Sequence, residues 1–439
     1  MNQIGLYGNR TINNNLRGVD VMAYDIETRC LHLEEDKKIY ENTGSLSFPI
    51  YQTATFVHKG VGLSTGFDYS RAGNPTRERV EDVVCSLERG DRAFAYSSGM
   101  AAITALMELF KPGDHLIVDN DLYGGSIRLF DNVNKKNGIE FTSLDICKEE
   151  VIPHIKENTK AVYVETPTNP MMNVTDIKAL SEKLKARDIL LIVDNTFMSP
   201  YLQNPLLLGA DIVVHSGTKY LCGHNDALAG FLITKDKVIS DKLDFLLRTT
   251  GAGLAPFDCW LVLRGIQTLA VRMDKACDNA AKIAKWLSKC PKVTKVIYPG
   301  LVMNPGYEIM KHQARGFGAM ITFECESSDL AKRILSKIQL IKFAESLGGT
   351  QSLMTYPVTQ THADVPEKKR LKNGLTDRML RLSVGIENAD DLSMLILEEA
   401  HVSTVSGSAF GNSNCLRISY AASEQTLNEA MRRIKELLN

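Results

Sequence analysis

The segment Asp211-Ile-Val-Val-His-Ser-Gly-Thr-Lys219-Tyr220 sets the tightest limit on what this 439-residue chain can fold into. Its apolar run has the continuous character of a strand buried on both faces, and it ends in a lysine set among hydroxyls. A second run, Leu190-Leu-Ile-Val-Asp194, ends in a carboxylate. Strands of this kind belong to mostly parallel sheets covered by helices, where ligands gather at the carboxyl ends. Asp194 and Lys219 both fall at such ends.

The rest of the chain supports an α/β architecture. Val80, Val83, Val84 and Leu87 follow helical spacing after Pro75, and Met100, Ile103, Met107 and Phe110 do so after Ser98-Gly99. Short apolar runs at His115–Val118 and Ala161–Glu165 alternate with helical patterns such as Ile177, Leu180 and Leu184. Beyond Val271 the pattern changes. A long helical stretch, Arg272 to Cys290, leads to strand-like runs at Val293–Tyr298, Gly318–Cys325 and Leu380–Val384. The expected division is an N-terminal arm (1–70), a large domain with a mostly parallel sheet (71–275), a smaller α+β C-terminal domain (276–392) and a tail (393–439). A chain this long exceeds one small core, so more than one domain is the default.

Composition removes several classes of function. A formal net charge of -1 argues against a nucleic-acid footprint, and no apolar stretch approaches membrane-spanning length. Met1–Gly18 is rich in Asn and lacks the apolar core of a secretory signal, so it reads as a loose arm. Nine cysteines without a C-x-x-C pair fit reduced thiols in a cytoplasmic protein. No histidine spacing suits a metal, and none is expected.

The chemistry lies in a few side chains. An ordinary lysine is a solvated surface charge, but Lys219 follows an apolar strand, and Ser216 and Thr218 lie beside it. Partial desolvation would lower its pKa and make it a usable base and nucleophile. Asp194 is either a cap or turn residue or a buried carboxylate that keeps a pyridine nitrogen protonated. Lysine, hydroxyls and carboxylate at successive strand ends are what a pyridoxal 5'-phosphate (PLP) enzyme requires. Tyr96-Ser-Ser98-Gly99-Met100 is a strand-to-helix turn whose first N–H groups suit a phosphate, the alternative being a simple Ser cap. Tyr123, on a Gly-Gly turn, is either a ring over the cofactor or a half-buried loop tyrosine. Asn169 follows a strand end and can donate to a phenolic oxygen. Arg381 offers a planar fork for a carboxylate, or serves in a structural ion pair.

These motifs resemble the Cys/Met-metabolism PLP family of fold-type-I transferases and lyases, from about Asp25 to Leu392. The resemblance rests on Tyr69-Ser-Arg71-Ala-Gly-Asn-Pro-Thr76, Ser97-Ser-Gly-Met-Ala101, Tyr123-Gly-Gly, Val193-Asp-Asn-Thr196, His215-Ser-Gly-Thr-Lys219 and Glu345-Ser-Leu-Gly-Gly349. It implies that Lys219 holds the cofactor as a Schiff base and acts in catalysis together with Tyr123, whose ring stacks on the cofactor. It implies that Ser98, Gly99, Met100, Ser216 and Thr218 surround the phosphate, while Asn169 and Asp194 hold the ring. Tyr69 and Arg71 would reach the phosphate of a neighbouring subunit, in a homotetramer built from active dimers. Ser346 would orient the lysine, Arg381 would bind the substrate carboxylate, and Arg128 would meet the distal end of the substrate. Ser64–Tyr69, His224–Gly230 and Thr355–Ala363 are most similar to the cystathionine γ-synthase and O-acetylhomoserine thiol-lyase branch. The chain departs from the pattern at Gly217, where alanine is usual and the change should be tolerated, and at Gln351, where glutamate is usual.

The resemblance thus implies γ-replacement on an O-acylhomoserine by cysteine or sulfide, in methionine biosynthesis. The alternatives are elimination of the γ- or β-lyase type on cystathionine, homocysteine or methionine, a transaminase, or an inactive PLP-fold scaffold. The transaminase rests on the tail alone. Glu398–Gly411 and Cys415-Leu-Arg417-Ile-Ser-Tyr-Ala421 are similar to the end of a class-I aminotransferase, and Leu416-Arg-Ile-Ser echoes Leu380-Arg-Leu-Ser. Arg381 is favoured over Arg417 because it belongs with the rest of the matched chain. The tail is expected to be an appended strand and helix (Glu424 to Leu438), docked on the small domain or dangling.

Overall fold

The computed structural model describes residues 24–32 and 44–393, and in the tail residues 405–406, 416–417, 425, 428–429, 431–433 and 435. The arm Met1–Gly18 and most of the aminotransferase-like stretch lie outside these residues.

The larger sheet is built from β1 (Arg92–Tyr96), β2 (His115–Asp119), β3 (Glu140–Leu144), β4 (Thr159–Glu165), β5 (Leu190–Asp194), β6 (Ile212–Ser216) and β7 (Gly230–Thr234). Its order is β1-β7-β6-β5-β4-β2-β3. The run from β6 to β3 is parallel, as expected. Strand β7 is not, since it pairs antiparallel with both β6 and β1. The reason is local: the chain returns from β6 through the short loop carrying Lys219, without the helical crossover that a parallel neighbour needs.

Alternation along the strands separates two apolar layers. Phe94, Ile192, Ile212, Val214 and Leu232 face one cluster, and Ala93, Ala95, Val213, Phe231 and Ile233 face another. Helix α1 (Pro75–Glu88) packs against β1, burying Val80, Val83, Val84 and Leu87 as the spacing predicts. Pro75 opens it, and the Asn74 side chain accepts from Thr76 N at 2.9 Å. Helix α2 (Gly99–Met107) starts behind β1, and Ser98 Oγ accepts from Ala101 N at 3.1 Å. Helices α3 (Gly124–Leu129) and α4 (Ile177–Lys185) follow β2 and β4, the latter capped by Asp176.

A second sheet holds β8 (Val293–Ile297), β9 (Met320–Cys325), β10 (Lys342–Phe343), β11 (Leu353–Thr355) and β12 (Met379–Ser383), in the order β10-β11-β12-β9-β8. Helices α5 (Leu269–Leu287) and α6 (Ser328–Lys337) cover one face, and the short α7 (Ala389–Ser393) packs on α5. Helix α5 runs unbroken through residue 275, and its buried residues share one apolar cluster with parts of both sheets. In the tail, β13 (Val405–Ser406) pairs antiparallel with β14 (Leu416–Arg417).

Gly217 has a packing explanation. A Cβ there would lie 2.5 Å from the Phe231 ring and 3.0 Å from the Ala229 side chain, and Phe231 is fully buried. The aromatic ring of β7 occupies the space that the usual alanine would need. Gly217→Ala is therefore expected to lose about 1–3 kcal/mol in denaturant unfolding through overpacking. Adding Phe231→Leu to that variant should return part of the loss; a double variant less stable than Gly217→Ala alone would contradict this account.

Candidate active site

The carboxyl ends of β4, β5 and β6 and the amino end of α2 open onto one cavity of about 330 Å³. Strand register sets its floor. Glu165 pairs with Asp194 across β4 and β5, and Asp194 pairs with Val214 across β5 and β6, so these neighbours point the same way. All of them line the cavity.

Lys219 enters from the loop after β6. Its Nζ donates to Ser346 Oγ at 2.7 Å. Burial pushes the ammonium down to about 8, the nearby Arg381 charge adds to the effect, and Glu345 opposes it. Ser346 itself has φ 94, a left-handed backbone for a side chain with a Cβ. Such a conformation costs about 1–3 kcal/mol and persists where the surroundings impose it. Here they do: Arg381 Nη2 donates to the Ser346 carbonyl at 3.0 Å while Lys219 binds its hydroxyl.

Arg381 comes from β12 of the second sheet and is 1% exposed. It also donates to Asn169 Oδ1 at 2.8 Å and Thr355 Oγ1 at 3.1 Å, so these three acceptors are all neutral. Its Nε is buried with no hydrogen-bond partner. Burial lowers its pKa to about 10. A buried guanidinium held by neutral acceptors is poised for an anion.

Asp194 lies opposite. One carboxylate oxygen accepts from Thr196 N at 3.0 Å and Thr196 Oγ1 at 2.6 Å, and the other from Tyr163 OH at 3.3 Å. Burial raises its pKa, and the Thr196 hydrogen bonds oppose the shift. Glu165 is raised well above the usual range, by burial first and by the Asp194 charge second. Two buried carboxylates side by side do not ionise together, so the pair holds a proton until a cation joins it.

The remaining expected residues divide into two groups. Ser98, Gly99, Met100, Tyr123, Asn169, Ser216 and Thr218 join Lys219, Asp194, Ser346 and Arg381 around the cavity. The Tyr123 N–H donates to Glu165 at 2.9 Å, and its ring lies so close to Gly125 that a Cβ there would stand 2.4 Å from it. Tyr69, Arg71 and Arg128 are not in the lining. Arg71 donates to the Arg248 carbonyl and sits 5.6 Å above the Tyr69 ring centroid, on exposed chain. Arg128 is exposed and pairs with Asp364. Gln351 is likewise exposed and outside the lining.

Sequence reasoning passed over Glu165, Tyr163 and Thr196. Glu165 carried a usable signal, since β4 is an apolar run ending in a carboxylate just as β5 is. Tyr163 and Thr196 became legible only through their contacts with Asp194.

The donor set suits PLP. The first N–H groups of α2 and the Ser216 hydroxyl meet beside the cavity, where a Cβ on Gly99 would stand 3.0 Å from Ser216 Oγ, and donors of this kind suit an anion; the Thr218 hydroxyl is turned to the Ala229 carbonyl at 3.3 Å. A carboxylate, an amide, an aromatic ring and a buried amine surround the rest.

Comparison with known proteins agrees. The profile of the Cys/Met metabolism PLP-dependent enzyme family matches residues 27–398. A cystathionine gamma-lyase of Bacillus subtilis (strain 168) is 47% identical over 80% of this chain and 93% of its own length. A cystathionine gamma-synthase/O-acetylhomoserine (thiol)-lyase of the same organism is 46% identical over 84% of this chain and 95% of its own. Among solved structures, cystathionine gamma synthase from Xanthomonas oryzae pv. oryzae in complex with cystathionine is 36% identical with a TM-score of 0.82, covering 85% of this chain and 97% of that one. Motifs, fold and cavity thus converge: the chain belongs to the Cys/Met metabolism PLP-dependent enzymes, a fold-type-I family of transsulfuration synthases and lyases.

Proposed function

We propose that this PLP-dependent transsulfuration enzyme catalyses γ-replacement, joining an O-acylhomoserine to cysteine or sulfide. The observation that carries the reading is the pairing, through Ser346, of a depressed-pKa amine with a buried guanidinium in one cavity. Support for replacement comes from the synthase-like stretches Ser64–Tyr69, His224–Gly230 and Thr355–Ala363, and from the relative named for both synthase and thiol-lyase activity. Elimination of the lyase kind remains the rival, since lyases are equally similar.

Bound PLP supplies an electron sink that stabilises negative charge developing on the amino-acid carbons. The protein does the rest. Arg381 takes the substrate α-carboxylate and fixes which Cα–H bond faces Lys219. Asp194 holds a proton on the ring nitrogen through charge, and Glu165 keeps its own proton beside it. Tyr123 covers the site, and Asn169 orients the phenolic edge. The Lys219 amine removes the Cα proton and then a Cβ proton. The acyloxy group leaves Cγ as a carboxylate, the thiol sulfur bonds to Cγ and gives up its proton, and Lys219 returns protons to Cβ and Cα. With O-acetylhomoserine and cysteine, the products balance as cystathionine and acetate.

Tyr69 and Arg71 fit a shared site. They lie outside their own cavity, on a stretch that also exposes Leu46, Val57 and Val61, and exposed apolar surface of this kind seeks a partner. The reading is a homotetramer of active dimers in which Arg71 reaches the phosphate of a second copy. It also takes the chain as cytoplasmic, organised as arm (1–70), PLP-binding domain (71–275), small domain (276–392) and tail; among the described residues no helix is long and apolar enough to cross a membrane.

Two assays test this. Protein loaded with PLP and fed O-acetylhomoserine plus cysteine should yield cystathionine by mass spectrometry with little keto acid. Keto acid and ammonia regardless of thiol, released faster from cystathionine, would move it to the lyases. Separately, Arg71→Ala and Lys219→Ala should each be nearly inactive, yet mixed oligomers should recover up to about half of full activity, because one site regains both groups. Mixtures no better than the single variants would place Arg71 in its own subunit's service.

A further inference from the structure

Behind the ends of β5 and β6, on the face away from the cavity, lies a buried polar cluster that the mechanism above does not use. Side chains alternate along β6, so Val214 and Ser216 line the cavity while His215 between them points to the opposite layer. Its Nε2 lies 2.5 Å from Oε1 of Glu88, the last residue of α1, and both side chains are fully buried. The same Oε1 accepts from Asn195 Nδ2 at 2.8 Å. Gln203 fixes that amide: its carbonyl accepts from Nδ2 at 2.8 Å, and its Nε2 donates to Asn195 Oδ1 at 3.0 Å. Asn195 in turn sits between Asp194 and Thr196, which both line the cavity. One carboxylate thus grips the back of the two strand ends that build the acid side of the site.

The place is a costly one for an anion. A helix C-terminus is the negative end of the helix dipole, and a carboxylate removed from water keeps its charge only beside a cation. Because Asn195 donates to Oε1, that oxygen is an acceptor, and His215 meets it with an N–H to complete an ion pair. The pair does not treat the two cavity acids alike. In the strand order β6-β5-β4, His215 stands one strand from Asp194 and two from Glu165, about 5 against about 10 Å across the sheet. Burial raises Asp194, and the His215 charge joins the Thr196 hydrogen bonds in opposing that rise.

We propose that Glu88 is a positioning residue that decides which cavity acid carries the charge: by holding the His215 charge behind β6, it makes Asp194 the anion and leaves the proton on Glu165. The inference rests on the reading in which Asp194 meets the ring nitrogen of the cofactor. It extends that reading by one layer, from the ring through Asp194 to an ion pair on the far face of the sheet. Glu88 touches neither cofactor nor substrate, and it acts only through His215 and Asn195.

Cofactor binding to the full-length protein tests this, with two probes: pyridoxal phosphate, and its 1-deaza analogue, in which carbon replaces the ring nitrogen. Glu88→Gln keeps the size and an acceptor oxygen but removes the anion. It should raise the Kd of pyridoxal phosphate about tenfold, as the loss of one neighbouring charge does for a carboxylate, and leave that of the analogue within about twofold. The double variant Glu88→Gln/His215→Gln leaves no buried charge unpaired and should show the same selective loss, which keeps the test open if the single variant folds poorly. A similar loss for both probes would make Glu88 a packing residue, and unchanged affinities would leave its charge without a role; either result overturns the proposal. Asp194→Asn separates the two levels. A selective loss there with none in the Glu88 variants refutes the role of Glu88 alone. No selective loss in Asp194→Asn removes the ring-nitrogen reading, and the proposal falls with it.

Discussion

Ser346 joins the two cations on which the active site depends. Its hydroxyl accepts from the Lys219 amine and its carbonyl from Arg381, and its backbone is held at φ 94 between them. One residue thereby couples the larger sheet, which delivers Lys219, to the second sheet, which delivers Arg381. Two buried positive groups in one cavity repel each other. Burial first, and the Arg381 charge second, lower the amine to about 8. The guanidinium keeps its charge and stays ready for a carboxylate. In the proposed function these two groups serve as the base and the carboxylate anchor, drawn from a single electrostatic arrangement.

The carboxylates opposite follow the reverse logic. Glu165 and Asp194 end neighbouring strands in register, and burial raises both. A cofactor whose ring nitrogen carries a proton would let Asp194 ionise while Glu165 remains neutral. Parallel strand ends impose the closeness, and alternation along the strands imposes the shared direction. The cation side and the acid side of the cavity are then separated by the space a flat ring would fill.

Much of this was legible in the sequence, for identifiable reasons. Continuous apolar runs marked β5 and β6, and polar residues where such runs stop marked Asp194 and Lys219. Pro75 and Ser98-Gly99 gave the helix starts because such signals are local chemistry, while the Asn74 cap became visible only in the structure. What escaped depends on distant pairing. β7 runs antiparallel because of how the Lys219 loop returns, and Tyr163 matters only because β4 places it against Asp194. Gly217 became intelligible once Phe231 was seen beside it. Tyr69, Arg71 and Arg128 carried motif signals but lie outside the lining of the cavity. Arg417 has a strand backbone in β14, apart from the sheet that holds Arg381.

Burial, with Arg381 beside it, holds the Lys219 amine near 8, and the cofactor-free protein tests this without any turnover. An unfolded lysine titrates near 10.4, so folding opposes protonation of Lys219, and the cost is fully present below about pH 8. As pH rises from about 8 towards 10.4 the cost fades, because both states lose the proton. Denaturant unfolding of the apo wild type and of Lys219→Met, compared from pH 7 to pH 10, measures it. The account predicts that the variant gains up to about 3 kcal/mol over wild type at pH 7 relative to its position at pH 10. A stability difference that stays constant across that range would mean that Lys219 titrates as an ordinary lysine and would contradict the account.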